Sequence, residues 1–476
     1  MHLNEEFIVK AVPGINFLYQ PVPILKTFGV DSRKISAGEI FIALKGAKVD
    51  GHDFIEQAIA QGAAGLMIEQ SKKDCLKKID ASILKKLCVM VVPNTLEALL
   101  ALATAWRAQF NIPVVCITGS FGKTSVKERV AHILSLAGKN YLASYGNQNT
   151  VIGVSLNILR MRSEHEVAVF ELGINKRGEM RRLVAIAQPT IAVITAIGHC
   201  HMEGLGSLSD IASEKREIFA FFKEHNIGIV NGDQKLLSHV AYNHPVIKFG
   251  QKTTNQVQAR KVNQSGQHIN FVLKLYKEKY QVKLTSHLKG VVDNALAATA
   301  CAYLLNIPAP IIVQGIQENI SISGRFDPCP LIGNKGMMIN DSYNASPESM
   351  KAALLAFERY DTLATKIAVL GDMTELGATS PFWHRQLGRF LRKIPSLQSV
   401  VLVGTQVAWT KKTIPVGVNV ELVPNWQEAK QVLLKQLDGN SLVLVKGSRA
   451  IELDQLVKEV CLSAGVSKDT QVGLNK

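Results

Sequence analysis

The sequence predicts an α/β protein of three domains, the central one a P-loop-type parallel-sheet ATPase domain between a small N-terminal α/β domain and a C-terminal Rossmann-like α/β domain. Three observations lead there. A chain of 476 residues divides, on length alone, into about three domains. Short β-branched runs alternate with helical segments through the middle of the chain and again after Gly324. The stretch from Val114 to Ser125 reads as strand, glycine turn and helix, the local order of a phosphate site.

Composition narrows the class. Apolar residues at 47% and charged residues at 20% suit packed globular domains. The most apolar region, Leu87 to Trp106, is broken by Pro93, Asn94 and Glu97, so no membrane insertion is expected. The start, Met1-His-Leu-Asn-Glu-Glu, lacks the basic residues of a signal peptide. Seven scattered cysteines (75, 88, 116, 200, 301, 329, 461) form no Cys-x-x-Cys. The expectation is reduced thiols in a cytoplasm, with neither a disulfide framework nor a zinc site. A net charge of +15 raises nucleic acid as a partner, but the lysines are dispersed and lack interleaved aromatics. The expected reading is instead a basic proteome or anionic small substrates.

Residues 1–110 form the first unit. A strand is expected over Phe41–Leu44, between turns at Ala37-Gly38 and Lys45-Gly46. Asp53 is the expected N-cap of a helix to about Gln61, ended by Gly62-Ala-Ala-Gly65. Asp31-Ser32-Arg33 precedes the strand, either as a polar grip on an anion such as a diphosphate or as a solvated turn. Leu96 to Phe110 reads as an amphipathic helix, and Asn111-Ile-Pro113 as a sharp entry to the next domain.

Residues 111–315 form the second. Strands are expected at Val114–Thr118, Val167–Glu171, Ile191–Ala196 and Ile227–Asn231, and helices at Thr124–Leu136, Lys176–Ala187, Ser209–Phe222 and Asn294–Leu305. Ligands of such sheets bind at the carboxyl ends of the strands, where Thr118, Glu171 and Ile197-Gly198 converge. Gly119 and Gly122 let backbone N–H groups approach an anion, Lys123 adds positive charge, and Thr124 or Ser125 offers a hydroxyl to Mg²⁺. Only two residues separate the glycines, where the common P-loop has four before its Gly-Lys pair, so a plain strand-to-helix turn is the competing reading. Glu171 suits a Mg²⁺ ligand or, equally, a helix cap or ion-pair partner. In Ile197-Gly-His199-Cys-His201-Met-Glu203-Gly, one histidine joining Glu171 around a divalent ion competes with an ordinary glycine-rich loop. Lys215 alone reads as a surface lysine. Residues 255–287 alternate polar and apolar, as a β-hairpin insertion would.

Residues 316–476 form the third, with strands expected at Gly336–Asn340, Ile367–Leu370, Val400–Val403 and Leu442–Val445. Asp341 follows a strand and suits ribose hydroxyls, while Arg325 suits a triphosphate. Gly371-Asp-Met-Thr-Glu375-Leu-Gly377 and Val445-Lys446-Gly-Ser-Arg449 mark one binding face. The tail from Ser467 is expected to fray.

Together these stretches resemble the ATP-dependent Mur ligases of bacterial cell-wall synthesis, over essentially the whole chain. The short loop from Thr118 to Ser125 matches the family's own ATP loop. Asp31-Ser32-Arg33 and the Phe41 strand match the domain that holds a UDP moiety. Asp341-Ser-Tyr-Asn-Ala-Ser-Pro347, Gly371–Gly377 and Val445–Arg449 match the branch that joins D-alanyl-D-alanine to UDP-N-acetylmuramoyl-tripeptide. They separate it from sister ligases that add a diamino acid and from folylpolyglutamate synthase.

The resemblance implies roles. ATP and Mg²⁺ are the implied cofactors. ATP would lie against Thr118, Gly119, Ser120, Phe121, Gly122, Lys123, Thr124 and Ser125, with Asn294 at the adenine, Asp341 at the ribose and Arg325 at the phosphates. Thr124, Glu171, His201 and Lys215 would serve Mg²⁺, Lys215 matching a lysine that carries a carbamate in related ligases. Lys123, Glu171, His201, Lys215 and Arg325 would be catalytic. Ser32, Arg33, Lys45, Asn147, Asn149, Tyr343 and Asn344 would meet UDP-N-acetylmuramoyl-tripeptide or D-alanyl-D-alanine. The chain departs from the family pattern at Thr150 and Ser346, each in place of an Asn, and at Leu288-Lys-Gly-Val291, where Gly-x-His-Asn is usual. A cytoplasmic monomer without nucleic acid is expected. An ATP-binding scaffold is the non-enzymatic alternative.

Overall fold

The inner strands of this protein are runs rich in Val, Ile and Leu without alternation, as expected where helices cover both faces of a sheet. In the computed structural model, which describes residues 3–19, 27–360 and 364–461, they assemble into three sheets of five, nine and six strands. The tail from Ser467 lies outside the described residues.

The first sheet runs in the spatial order Asn16–Phe17, Cys88–Val92, Gly65–Glu69, Ile40–Ile42, Phe28–Gly29, antiparallel only at the first pair. The helix beside Ile40–Ile42 does not begin at Asp53. The Asp50 carboxylate accepts the His52 N–H and opens a 3-10 turn, Gly51–Phe54, which feeds the helix Ile55–Ala60. The helix Thr95–Arg107, capped by Asn94, carries the first core into the second: Trp106 is 2% exposed and its indole N–H donates to Met161 O.

The nine-stranded sheet places Val114–Thr118 between Ile191–Ile194 and Val167–Glu171, all parallel. The chain moves to one side of this strand and then to the other, so its carboxyl end is a topological switch point. Beyond Ile227–Asn231 and Val246–Gly250, residues 255–287 do not form a hairpin insertion. Three antiparallel strands, Val257–Ser265, His268–Leu275 and Glu278–Thr285, extend the central sheet itself, and their apolar alternation buries Ile269, Phe271, Leu273 and Leu275 under the helix Val291–Leu304. Of the helices that differ from expectation at their ends, which include Val291–Leu304 and Thr95–Arg107, two have a cause in their capping or coil. Glu179–Ala187 starts three residues late because the Glu179 carboxylate binds the amides of Asn175 and Lys176 and holds that loop out of the helix. Leu208–Arg216, closed at its start by a Ser207/Asp210 capping box, tightens to a 3-10 turn at Glu217–Phe219.

The six-stranded sheet has the order Asp327–Pro330, Gly336–Asn340, Ser441–Lys446, Thr365–Gly371, Leu397–Val403, Asn419–Val423. The last strand in sequence of this set returns between the second and the third in sequence, so Asn340 and Lys446 end side by side at a second switch point. Cys329 and Cys461 are disulfide-bonded across a sequence separation of 132, which corrects the expectation of reduced thiols throughout; only the fold makes them neighbours. Among the described residues no helix is long and apolar enough to cross a membrane.

Candidate active site

A cavity of about 880 Å³ opens where the carboxyl ends of the central strands face the third sheet. Its floor is the glycine loop. After the fully buried strand Val114–Thr118 the backbone turns at Gly119, whose φ is +153° and where a Cβ would stand 1.9 Å from Thr195 Oγ1. It turns again at Gly122, φ +86°, which leads into the helix Lys123–Leu136. Thr195 Oγ1 donates to Phe121 O, and Ser120 N–H to Ala196 O, so the neighbouring strand end fixes the loop. The helix N-terminus adds partial positive charge. Lys123 Nζ curls back onto Gly119 O at 2.8 Å, and Ser120, Phe121, Gly122, Lys123 and Ser125 line the cavity. Thr118 does not reach it. That side chain is fully buried and its hydroxyl donates to Leu172 O.

Glu171 ends the adjacent strand and is 1% exposed. Its Oε2 accepts the Thr124 hydroxyl at 2.8 Å and its Oε1 accepts Asn149 Nδ2 at 2.8 Å. Asn149 thus both reaches the carboxylate and lines the cavity, and Thr150 is the N-cap of the next helix, Val151–Ile158. Arg325 arrives from the third unit, where Nη2 donates to Thr124 Oγ1 at 3.0 Å and the guanidinium lies 3.9 Å from the Tyr343 ring centroid. The Tyr343 hydroxyl is in reach of Asn147, and burial raises its pKa.

Lys215 is fully buried on Leu208–Arg216, and its Nζ has no hydrogen-bond partner. Burial lowers its pKa to about 8, with Cys200 and Glu214 opposing and the Lys123 cation assisting. His201, at φ +53°, stands with Nδ1 2.5 Å from a Glu375 carboxylate oxygen, and this close contact holds the Glu375 carboxyl below its usual range. His199 Nδ1 is hydrogen-bonded to Glu348 Oε1 at 2.5 Å. Both glutamates belong to the third unit.

Mg²⁺ prefers oxygen ligands. Thr124 and Glu171 fit that preference, His201 offers nitrogen, and Lys215 fits only once its amine carries an oxygen-bearing group. Among the described residues no three His, Cys, Asp or Glu side chains gather into a ready-made cage. Asn294 lines the cavity beside Gly122, its Oδ1 2.5 Å from where a Cβ on that glycine would stand. Asp341 and Asn344 line it too. Asp341 Oδ2 meets Lys446 Nζ at 2.8 Å, and Asp341 Oδ1 accepts the Phe326 N–H.

Gly119, Thr124, Asn147 and Lys215, like Thr118, are not in the cavity lining, and three further expected residues lie away from it. Ser32 donates its hydroxyl to Gln57 Oε1, Arg33 is paired with Asp31 and 74% exposed, and Lys45 is exposed, all within the first unit. Sequence reasoning named neither Glu348 nor Lys446 as a site residue. Glu348 lies in the first turn of a helix, where acids are ordinary. Lys446 was visible only as one charged residue in a glycine-rich strand end.

Comparison with known proteins agrees along the chain. Models described as Mur ligase family, catalytic domain; Mur ligase middle domain; and Mur ligase, glutamate ligase domain match residues 25–107, 117–302 and 324–449. The chain is 32% identical to the UDP-N-acetylmuramoyl-tripeptide--D-alanyl-D-alanine ligase of Bacillus subtilis over 92% of this chain and 93% of the relative. It is 32% identical to the ligase of the same name from Escherichia coli, over 90% and 92%. Its fold is similar to MurF from Acinetobacter baumannii (TM-score 0.82, 29% identity, 96% and 98% covered). It is also similar to a Thermotoga maritima MurF in complex with ADP (TM-score 0.75, 26% identity, 91% and 96% covered).

Proposed function

The chain belongs to the Mur ligase family, and from that premise we propose that it joins D-alanyl-D-alanine to UDP-N-acetylmuramoyl-tripeptide at the expense of ATP, in peptidoglycan precursor synthesis. The observation that carries the catalytic part is the meeting of Arg325 with Thr124, which brings a cation from the third unit onto the phosphate loop of the second.

The γ-phosphoryl group passes from ATP to the terminal carboxylate of the tripeptide, giving an acyl phosphate and ADP. The free amine of D-alanyl-D-alanine attacks the acyl carbon. The tetrahedral adduct loses the amine proton and expels phosphate as the peptide bond forms. Lys123 and Arg325 offset charge on the transferring group, and the loop amides cradle the phosphates. Asn149 holds Glu171 by one oxygen, and Thr124 holds it by the other. Mg²⁺, held by Thr124, Glu171 and His201, would add Lewis-acid stabilisation of the phosphoryl oxygens. The isolated, buried amine of Lys215, with its pKa near 8, supports carbamylation by CO₂, which turns a cation into an anionic oxygen donor and releases two protons, one from the ammonium and one as the C–N bond forms. Asn294 faces the adenine and Asp341 the ribose, while Asn147, Tyr343 and Asn344 approach the peptide substrates. Ser32, Arg33 and Lys45 take the UDP end, remote from the chemistry. The enzyme acts in the cytoplasm as a monomer.

The test is phosphate release from ATP with Mg²⁺, UDP-N-acetylmuramoyl-tripeptide and D-alanyl-D-alanine, each omitted in turn. Release is expected only when both the tripeptide and the dipeptide are present. Release driven instead by the UDP-muramoyl-dipeptide and a diamino acid would move the protein to a sister activity. ATP binding without release would leave a scaffold.

A further inference from the structure

Lys446 is the last residue of the strand Ser441–Lys446, in the middle of the third sheet and at its switch point. Its side chain is 3% exposed, yet it stands in the wall of the ligand cavity. The ammonium has two partners. It lies 2.8 Å from Asp341 Oδ2 and donates to the carbonyl of Asn344 at 2.8 Å. Asp341 and Asn344 flank the turn at Ser342-Tyr343 that follows the neighbouring strand, Gly336–Asn340, so one cation spans that turn.

The loop is held at further points. Asp341 Oδ1 accepts the N–H of Phe326, the residue after Arg325, and Tyr343 N–H donates to Gly324 O. Tyr343 in turn stacks beneath the Arg325 guanidinium. Lys446 therefore acts, through Asp341 and the turn after it, on residues that adjoin Arg325. A buried ion pair is weak evidence for net stability, because desolvating both charges offsets their attraction. Its clearer consequence here is orientation: the carboxylate of Asp341 is fixed by a cation on one oxygen and an amide on the other, each oxygen keeping a lone pair.

We propose that Lys446 is a positioning residue that fixes the Asp341 carboxylate and the 341–344 loop so that Asp341 grips the ribose hydroxyls of the nucleotide. The inference rests on the ribose role given to Asp341 above. With methionine in place of the lysine, the carboxylate loses its cation and the loop loses its clamp. Binding energy from the ribose hydroxyls then falls, and energy from the base and the phosphates does not.

Steady-state ligation with ATP and with 2′,3′-dideoxy-ATP tests this in the wild type, Lys446→Met, Lys446→Gln, Asp341→Asn and the double variant Asp341→Asn/Lys446→Met. The wild type should prefer ATP in kcat/KM. Lys446→Met should cut that preference by about tenfold, chiefly through KM for ATP. The double variant should discriminate no worse than Asp341→Asn alone. Lys446→Gln, which retains a donor, should show the same change more mildly and serves if the methionine variant fails to fold. A variant that loses activity equally with both nucleotides would reduce Lys446 to a structural ion pair and overturn the inference. Preference kept in the Lys446 variants but lost in Asp341→Asn would do the same while sparing the ribose reading. Preference kept in Asp341→Asn would remove both.

Discussion

Arg325 is the side chain whose position matters most for its size. Its guanidinium stacks on Tyr343 and donates to Thr124, and Thr124 donates to Glu171, so one chain of contacts runs from the third unit to the carboxylate beside the phosphate loop. Arg325→Ala should lower kcat by roughly 10³-fold with little change in fold, since phosphoryl transfer depends on such charge neutralisation. Lysine should not restore it, because the stack and the fork need a planar cation. Turnover near the wild-type level would remove the catalytic role. Lys215 calls for a different measurement. With its pKa lowered to about 8 by burial, a sizeable share of the amine is neutral near that pH and open to CO₂. Equilibration with ¹³C-bicarbonate should give a carbamate ¹³C resonance in the wild type that Lys215→Arg lacks. A spectrum without it would leave Lys215 an uncapped buried amine.

At the scale of elements, the phosphate loop is a turn that tolerates no extra atom. A Cβ on Gly119 would stand 1.9 Å from Thr195 Oγ1, and φ there is +153°. Gly119→Ala should therefore displace the loop and abolish measurable ATP binding by calorimetry, and tight binding in that variant would show that the loop bends elsewhere. The Asp50 turn makes a pH prediction. Burial favours the neutral acid, but the hydrogen bonds from His52 and Lys72 outweigh it and bring the pKa down to about 2 from 3.8. A carboxylate with a depressed folded pKa stabilises the protein above its unfolded pKa, and the effect is lost as pH falls through the folded one. Asp50→Asn should thus cost about 1 kcal/mol in urea unfolding at pH 7, since solvent screens part of the interaction. The gap to the wild type should narrow as pH drops from about 4 towards 2, and a gap independent of pH would mean that the cap alone, not its charge, is at work.

At the scale of the molecule, the second and third units meet around the cavity through a few polar contacts. His199 pairs with Glu348, His201 with Glu375, and Arg325 with Thr124, while His287 stacks on Tyr360 and its carbonyl accepts from Arg359. An interface of paired side chains, with no shared sheet, suits a joint that opens for substrate and shuts over the acyl phosphate. Glu348→Ala should enlarge the radius of gyration in solution scattering and lower kcat/KM for ATP several-fold. Unchanged scattering would assign the closure to the remaining contacts.

The sequence alone determined the class of the fold and the strand–turn–helix form of its glycine loop. Strands such as Val114–Thr118, Val167–Glu171 and Ile227–Asn231 were legible to the residue, because apolar runs between glycine turns admit few other conformations. That Lys123, Thr124 and Glu171 stand together at the strand and helix ends was legible because a loop motif and a strand end are local features. What lay between distant segments was not. The three strands over 257–285 read as a separate hairpin because alternation reports a face, not the sheet that the face joins. The disulfide of Cys329 with Cys461, the His–Glu pairs across the cavity and the grip of Lys446 on Asp341 each join residues about 100 positions apart or more. Such pairs leave no mark in local spacing, and only the packing of three sheets decides which charges and thiols become neighbours.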